Sequence, residues 1–270
     1  MATRRQVLLL LCVVPATLAQ TKLDQEQVWR EYIEWLRAQP LGPNTQEQYR
    51  ARLRNSGLTE VQVDERFAVI EKLSRVRLEP KIIFFNKAYT SPKPMFNTAP
   101  NAFLAEVIQE VKPGKALDVH MGQGRNAVYL AQKGWDVTGF DLSDQGLAVA
   151  QCLAEKAGVK IKTILQSHEE FDFGRDRWDL VVMMYTWIPM SDLTYAKRIC
   201  ESLKPGGLLI FEHHLEELKP GEEKTAWLPE PNQLFKVFGD LRVLRYEDRL
   251  DTVDWGKGKG RVGRLLAQKM

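Results

Sequence analysis

Residues 115–141 read KALDVHMGQGRNAVYLAQKGWDVTGFD. Ala116-Leu117-Asp118-Val119-His120 has the apolar character of a short buried strand. Met121-Gly122-Gln123-Gly124 is a turn, and Ala127, Leu130 and Ala131 give the segment from Arg125 to Lys133 helical spacing. Asp136–Asp141 is a second strand that stops on an acid. Strand, turn, helix and strand in that order join two parallel strands by a crossover helix. Gly122 and Gly124 let backbone approach a ligand closely, and the following helix aims its unpaired N–H groups at it. Asp141 can accept hydrogen bonds from two ribose hydroxyls. The stretch predicts a nucleotide pocket.

Two families use such a unit. The stretch resembles the dinucleotide-binding Rossmann domain, whose pattern lies on Gly122, Gly124 and Ala127 with Asp141 as the ribose acid. It also resembles the class I S-adenosylmethionine-dependent methyltransferases, whose first motif falls on Asp118-Val119-His120-Met121-Gly122-Gln123-Gly124. Asp118, just before the turn, favours the second family, because a dinucleotide fold keeps this strand end apolar. Arg177-Trp178-Asp179-Leu180-Val181-Val182-Met183-Met184 resembles that family's fourth strand. Leu203-Lys204-Pro205-Gly206-Gly207-Leu208-Leu209-Ile210 resembles its turn into the fifth, where proline and glycine end a helix and reverse the chain. Gly124-Arg125-Asn126-Ala127 and Phe140-Asp141-Leu142-Ser143 are similar to the tellurite-resistance and thiopurine-type members, which act on small molecules. His120 departs from the pattern: it stands where the family has its first glycine, and a histidine is strained there if φ is positive.

The rest of the chain agrees with an α/β, Rossmann-like, doubly wound sheet, mostly parallel, with an antiparallel C-terminal strand. Strands are expected at Lys160–Gln166, Leu180–Tyr185 and Leu208–His213, with helices at Asn101–Val111, Ser143–Ala157 and Ser191–Leu203. Leu241–Leu250 and Arg261–Lys269 form a hairpin whose last strand runs antiparallel, which is typical of the methyltransferase sheet. Before the sheet, helices are expected at Thr21–Gln39, Thr45–Asn55 and Thr59–Leu78, forming an N-terminal appendage over residues 20–79 that packs, dimerises or acts as a lid. The methyltransferase domain is expected over 80–270. Phe84–Pro100 reads as a loop because of Pro92, Pro94 and Pro100. The resemblance implies that such a segment helps close the cofactor site, through Tyr89, Phe96 and Asn97.

Residues 1–19 combine Arg4 and Arg5, an apolar run from Val7 to Val14 and a small-residue end at Ala19. That is the layout of a secretory signal, with a twin-arginine character, and it predicts an exported protein; an uncleaved anchor or a mis-assigned start is the other reading. The apolar run is too short to span a bilayer, so no stable membrane insertion is expected. The net charge is +3, of which Arg4 and Arg5 supply two, so no nucleic-acid partner is expected. Cys152 and Cys200 read as small buried hydrophobes.

Ligands of open parallel sheets bind beyond the carboxyl ends of the strands. The resemblance implies S-adenosyl-L-methionine as cofactor, with Asp118, His120, Gly122, Gly124 and Asn126 from the first motif. Asp141 and Leu142 would hold ribose and adenine, Ser167 and His168 the adenine edge, and Met184 and Tyr185 would lie near the methyl group. Tyr185 and His213 are the expected catalytic pair. His120, His168, His213 and His214 all fall on this rim. They serve as a general base, as metal ligands or as polar lining; no ligand spacing such as H-E-x-x-H appears, and no metal is assigned. The expected activity is methyl transfer to a small-molecule nucleophile. An NAD-dependent oxidoreductase and a non-catalytic methyltransferase-like binding protein are the alternatives. Oligomeric state is not legible.

Overall fold

The structure is a computed structural model, and it describes residues 23–187, 192–217, 228–254 and 258–270. The export-signal expectation falls on residues outside this set. The chain divides into two compact units, one of residues 1–35 and 44–76, the other of residues 36–43 and 77–270.

The first unit is helical. It contains most of α1 (Gln25–Ala38) together with α2 (Thr45–Asn55) and α3 (Glu60–Ser74). Helix α3 opens on a capping box: the Thr59 hydroxyl accepts from Gln62 N–H and the Gln62 side chain accepts from Thr59 N–H, which satisfies two end donors. Apolar residues at helical spacing bury Trp29, Tyr32, Trp35, Tyr49 and Phe67 against one another, with ring centroids 4.7–6.4 Å apart.

The second unit carries the sheet. Its first helix, α4 (Glu79–Thr90), corrects the loop expected from Phe84 onward. Pro80 sits in the first turn, where a missing N–H costs nothing, and the prolines that suggested a loop lie beyond the helix. Helix α5 (Ala102–Val107) leads to β1 (Lys115–Val119), α6 (Arg125–Gln132), β2 (Asp136–Asp141), α7 (Asp144–Lys156), β3 (Lys162–Leu165) and β4 (Trp178–Met184). Then come α8 (Leu193–Ser202), β5 (Leu203–His214), a short α9 (Gln233–Val237), β6 (Arg242–Thr252) and β7 (Lys259–Gln268). Strand β5 begins five residues before the expected Leu208, because Lys204-Pro205-Gly206-Gly207 is taken up as an irregularity in its pairing with β4.

The seven strands lie in the order β3-β2-β1-β4-β5-β7-β6. Strands β1 to β5 are parallel, and β7 runs antiparallel to both β5 and β6. The order reverses between β1 and β4, so the crevice of the sheet opens at their carboxyl ends. Each face of the sheet is covered by a core: Leu117, Phe140, Val181 and Phe211 on one side, Ala116, Leu130, Val182 and Ile210 on the other. Such strands are apolar on successive residues because both faces are buried, at about 1.5–3 kcal/mol for each large side chain. Cys200 is buried, but Cys152 is exposed on α7, contrary to expectation. No helix among the described residues is long and apolar enough to cross a membrane.

Candidate functional site

A cleft of about 970 Å³, counting its open mouth, lies over the carboxyl ends of the parallel strands. The turn after β1 forms its floor. His120, Gly122 and Gly124 all take positive φ, at 53°, 51° and 75°. The His120 position therefore does demand the left-handed conformation, and this chain holds a histidine in it. A Cβ on Gly124 would lie 2.6 Å from the Ala150 methyl, so this glycine lets the turn pack on α7 and does not line the cleft. A Cβ on Gly122 would run into the phenol of Tyr89, which α4 lays over the turn.

Two buried carboxylates flank this turn. Asp141 accepts hydrogen bonds from the N–H groups of Gly122 and Ser143, each at 2.9 Å, and burial still raises its pKa to about 6. Asp118 is 2% exposed, and burial pushes its pKa up to about 7, with Arg125 opposing. Its Oδ2 has no hydrogen-bond partner among the described residues. A buried carboxylate oxygen without a donor is costly unless a ligand supplies one.

His120 and His168 face each other across the cleft wall, with ring centroids 5.3 Å apart. Burial lowers both; His120 falls to about 3, so it is neutral at physiological pH. His120 Nε2 and His168 Nδ1 find no partner among the described residues, while His168 Nε2 lies 3.1 Å from Glu169. Asn126, Leu142, Met184 and Tyr185 also line the cleft. Ser167 does not: its hydroxyl accepts from Glu170 N–H at 3.2 Å and its own N–H donates to the Glu170 carboxylate. His213 is also outside the lining; it is 1% exposed and burial lowers its pKa to about 4, which leaves it neutral and away from the cleft.

Lys81 and Phe85, which the sequence did not single out, stand on α4 at four-residue spacing with the expected Tyr89, and all three line the cleft, with the expected Phe96 and with Trp187 beside them. Phe85 meets Trp187 edge-on at 5.7 Å, and Tyr89 meets Phe96 at 5.2 Å. The i, i+4, i+8 spacing was readable once α4 was recognised as a helix. The opposite wall is polar. Asp254 holds Arg125 at 3.1 Å and Asn101 at 2.5 Å, and Asn97 reaches it at 3.3 Å. Asn101 also donates to Glu212 at 2.7 Å, and Glu212 pairs with Arg264 at 2.6 Å. Among the described residues no group of three or more His, Cys, Asp or Glu side chains is placed to hold a metal.

Comparisons with known proteins agree with this geometry. Residues 116–207 match the family model described as "Methyltransferase domain". A probable S-adenosyl-L-methionine-dependent methyltransferase, TehB, of Haemophilus influenzae is 31% identical over 172 residues, covering 62% of this chain and 57% of that protein. A putative methyltransferase of Geobacillus sp. is 38% identical over 105 residues, covering 37% of this chain and 42% of that protein. The chain thus spans about half the length of the curated relatives it matches. The crystal structure of TehB from Haemophilus influenzae has the same fold, with a TM-score of 0.56 at 21% identity, over 70% of this chain and 66% of that one. Motif, strand order and relatives agree: the sheet unit is similar to the class I S-adenosylmethionine-dependent methyltransferases.

Proposed function

We propose that this protein transfers a methyl group from S-adenosylmethionine to a small-molecule nucleophile, such as a thiol, a chalcogen oxyanion, a halide or an amine. The observation that carries this reading is Asp118, a buried carboxylate whose Oδ2 lacks a donor beside the glycine turn. The ammonium of the cofactor's amino-acid end is a donor of the required charge. Asp141 keeps free lone pairs for a ribose, and Leu142 offers an apolar surface to adenine. His168 suits the adenine edge: with a proton on Nε2 shared with Glu169, its Nδ1 is an acceptor for the exocyclic amine.

The cofactor, when bound, supplies the methyl group already activated on a sulfonium. The chain has to orient it, exclude water and align an acceptor in line. Phe85, Phe96, Trp187 and Met184 supply the apolar wall for that exclusion. His120 is too weak a base at neutral pH, and burial raises the Tyr185 phenol far above the range in which it ionises. This favours acceptors that are nucleophilic without a strong base. Thermal denaturation with S-adenosylhomocysteine and with NAD tests the assignment: only the first should raise the melting temperature. Stabilisation by NAD would establish the oxidoreductase instead, and stabilisation by neither would favour a non-catalytic binding protein.

Export belongs to the same proposal. Arg4-Arg5, the apolar run and Ala19 support it, and a folded protein leaving by a twin-arginine route could carry its cofactor along. A mature N-terminus at Gln20 in protein recovered outside the cytoplasm is the expected result; an intact Met1 there would count against cleavage.

A further inference from the structure

Strand β6 stands at one end of the sheet order and pairs with β7 alone. Alternate residues turn their N–H and C=O groups away from the sheet, and among the described residues no other segment's backbone pairs with them. Open edges are commonly blunted by short length, proline or lysine. Strand β6 has 11 residues and contains neither. An irregularity between Val243 and Arg245 interrupts one end, and from Arg245 to Thr252 the pairing is regular.

The charges of this edge follow an order. Arg245, Glu247, Arg249 and Asp251 are every second residue, so all four project from one face as plus, minus, plus, minus. They touch along the row: Arg245 Nε lies 2.6 Å from Glu247, and Arg249 lies 3.7 Å from Glu247 and 3.3 Å from Asp251. On the other face Leu250 is 67% exposed, and Tyr246 packs on Phe235 at 4.5 Å.

A second copy laid antiparallel on this edge must obey a twofold axis, so every contact between two different residues is made twice. With the axis at Asp248, Glu247 faces Arg249 and Arg245 faces Asp251. All the cross-edge pairs of the charged row then have opposite sign, and Leu250 faces Tyr246 on the other face. Asp248 meets its own copy at the axis, where each is already neutralised by its own Arg261 at 2.5 and 2.8 Å. An axis one residue earlier sets Arg245 against Arg249, and one residue later sets Glu247 against Asp251. A shift of two leaves only one kind of opposed pair.

We propose that β6 is a self-association edge, on which a second copy of this chain adds antiparallel about Asp248 with the alternating charges fixing the register. The proposal stands on the sheet unit and is independent of the methyltransferase reading.

Sedimentation equilibrium on the full chain tests it. Wild-type protein should show a reversible monomer–dimer equilibrium in the micromolar range. Arg249→Glu sets Glu247 against a like charge on both sides of the axis and should raise the dimer Kd at least about tenfold. The Arg249 side chain is 54% exposed, and an unaltered thermal transition of the variant shows that its fold is kept. Arg245→Asp and Asp251→Arg should each weaken self-association as well, and their equimolar mixture should recover it, because these two positions face each other across the edge. If either of this pair fails to fold, Arg249→Glu decides alone. Wild-type protein that stays monomeric up to about 100 μM overturns the proposal. So does a dimer whose Kd is unchanged by Arg249→Glu, or a mixture of folded variants that does not recover association.

Discussion

Asp118 concentrates the chemistry of the cleft in one side chain. Burial raises its pKa to about 7 from the ordinary value of 3.8. A carboxyl whose folded pKa is raised binds a proton more readily in the folded than in the unfolded chain. Its contribution to stability is therefore fully present below about pH 4 and is lost as pH rises toward 7. Asp118→Asn removes that loss, so the variant should gain stability over wild type at pH 8 and gain little at pH 4. The expected difference is on the order of a few kcal/mol at most. Urea melts at the two pH values measure it, and an equal effect at both would show that the carboxyl is not perturbed. The same substitution removes the carboxylate proposed for the cofactor's ammonium, so S-adenosylhomocysteine should bind at least tenfold more weakly, about 1.4 kcal/mol.

At the scale of elements, α4 decides how closely the cleft is covered, and it was the least legible part of the chain. Residues 84–100 read as loop because prolines dominated the window, yet the prolines at 92, 94 and 100 follow the helix and Pro80 begins it. Its interior has no apolar stripe of the usual kind, since Lys81, Phe85 and Tyr89 face a cleft rather than a core. Two bonds hold the helix to the start of α7: Asn86 accepts from the Ser143 hydroxyl at 2.6 Å and donates to Asp144 at 2.7 Å. Asn86→Ala removes both. Amides of Glu79–Thr90 should then exchange faster with solvent, while those of β1 and β4 keep their protection. Cofactor affinity should fall as well, because Tyr89 would no longer be held over Gly122. Unaltered exchange in α4 would mean that its ring contacts suffice to hold it.

For the sheet unit as a whole, the parallel strands, the antiparallel closing strand and the ligand edge were legible because they follow from local pattern: apolar runs, a glycine turn and acids at strand ends. Glu212, Asn101 and Asp254 were not, since Asn101 meets partners 111 and 153 residues away and no spacing rule reaches that far. Ser167 and His213 show the converse limit: a strand end was read correctly, but the side chain turns to a local turn or to the core. The same long-range assembly makes ligand binding a property of the whole unit. A ligand at 100 times its Kd adds about 2.7 kcal/mol to stability, a rise of about 5–10 °C for a domain of this size. An ammonium beside Asp118 favours the ionised carboxylate, so binding must release a proton while pH is below about 7. The rise produced by S-adenosylhomocysteine should therefore be larger at pH 8 than at pH 6, although the ligand-free protein loses the Asp118 contribution over that interval. Calorimetric scans at both pH values, at one fixed ligand concentration, measure the difference. A larger rise at pH 6 would place the ligand's ammonium away from Asp118.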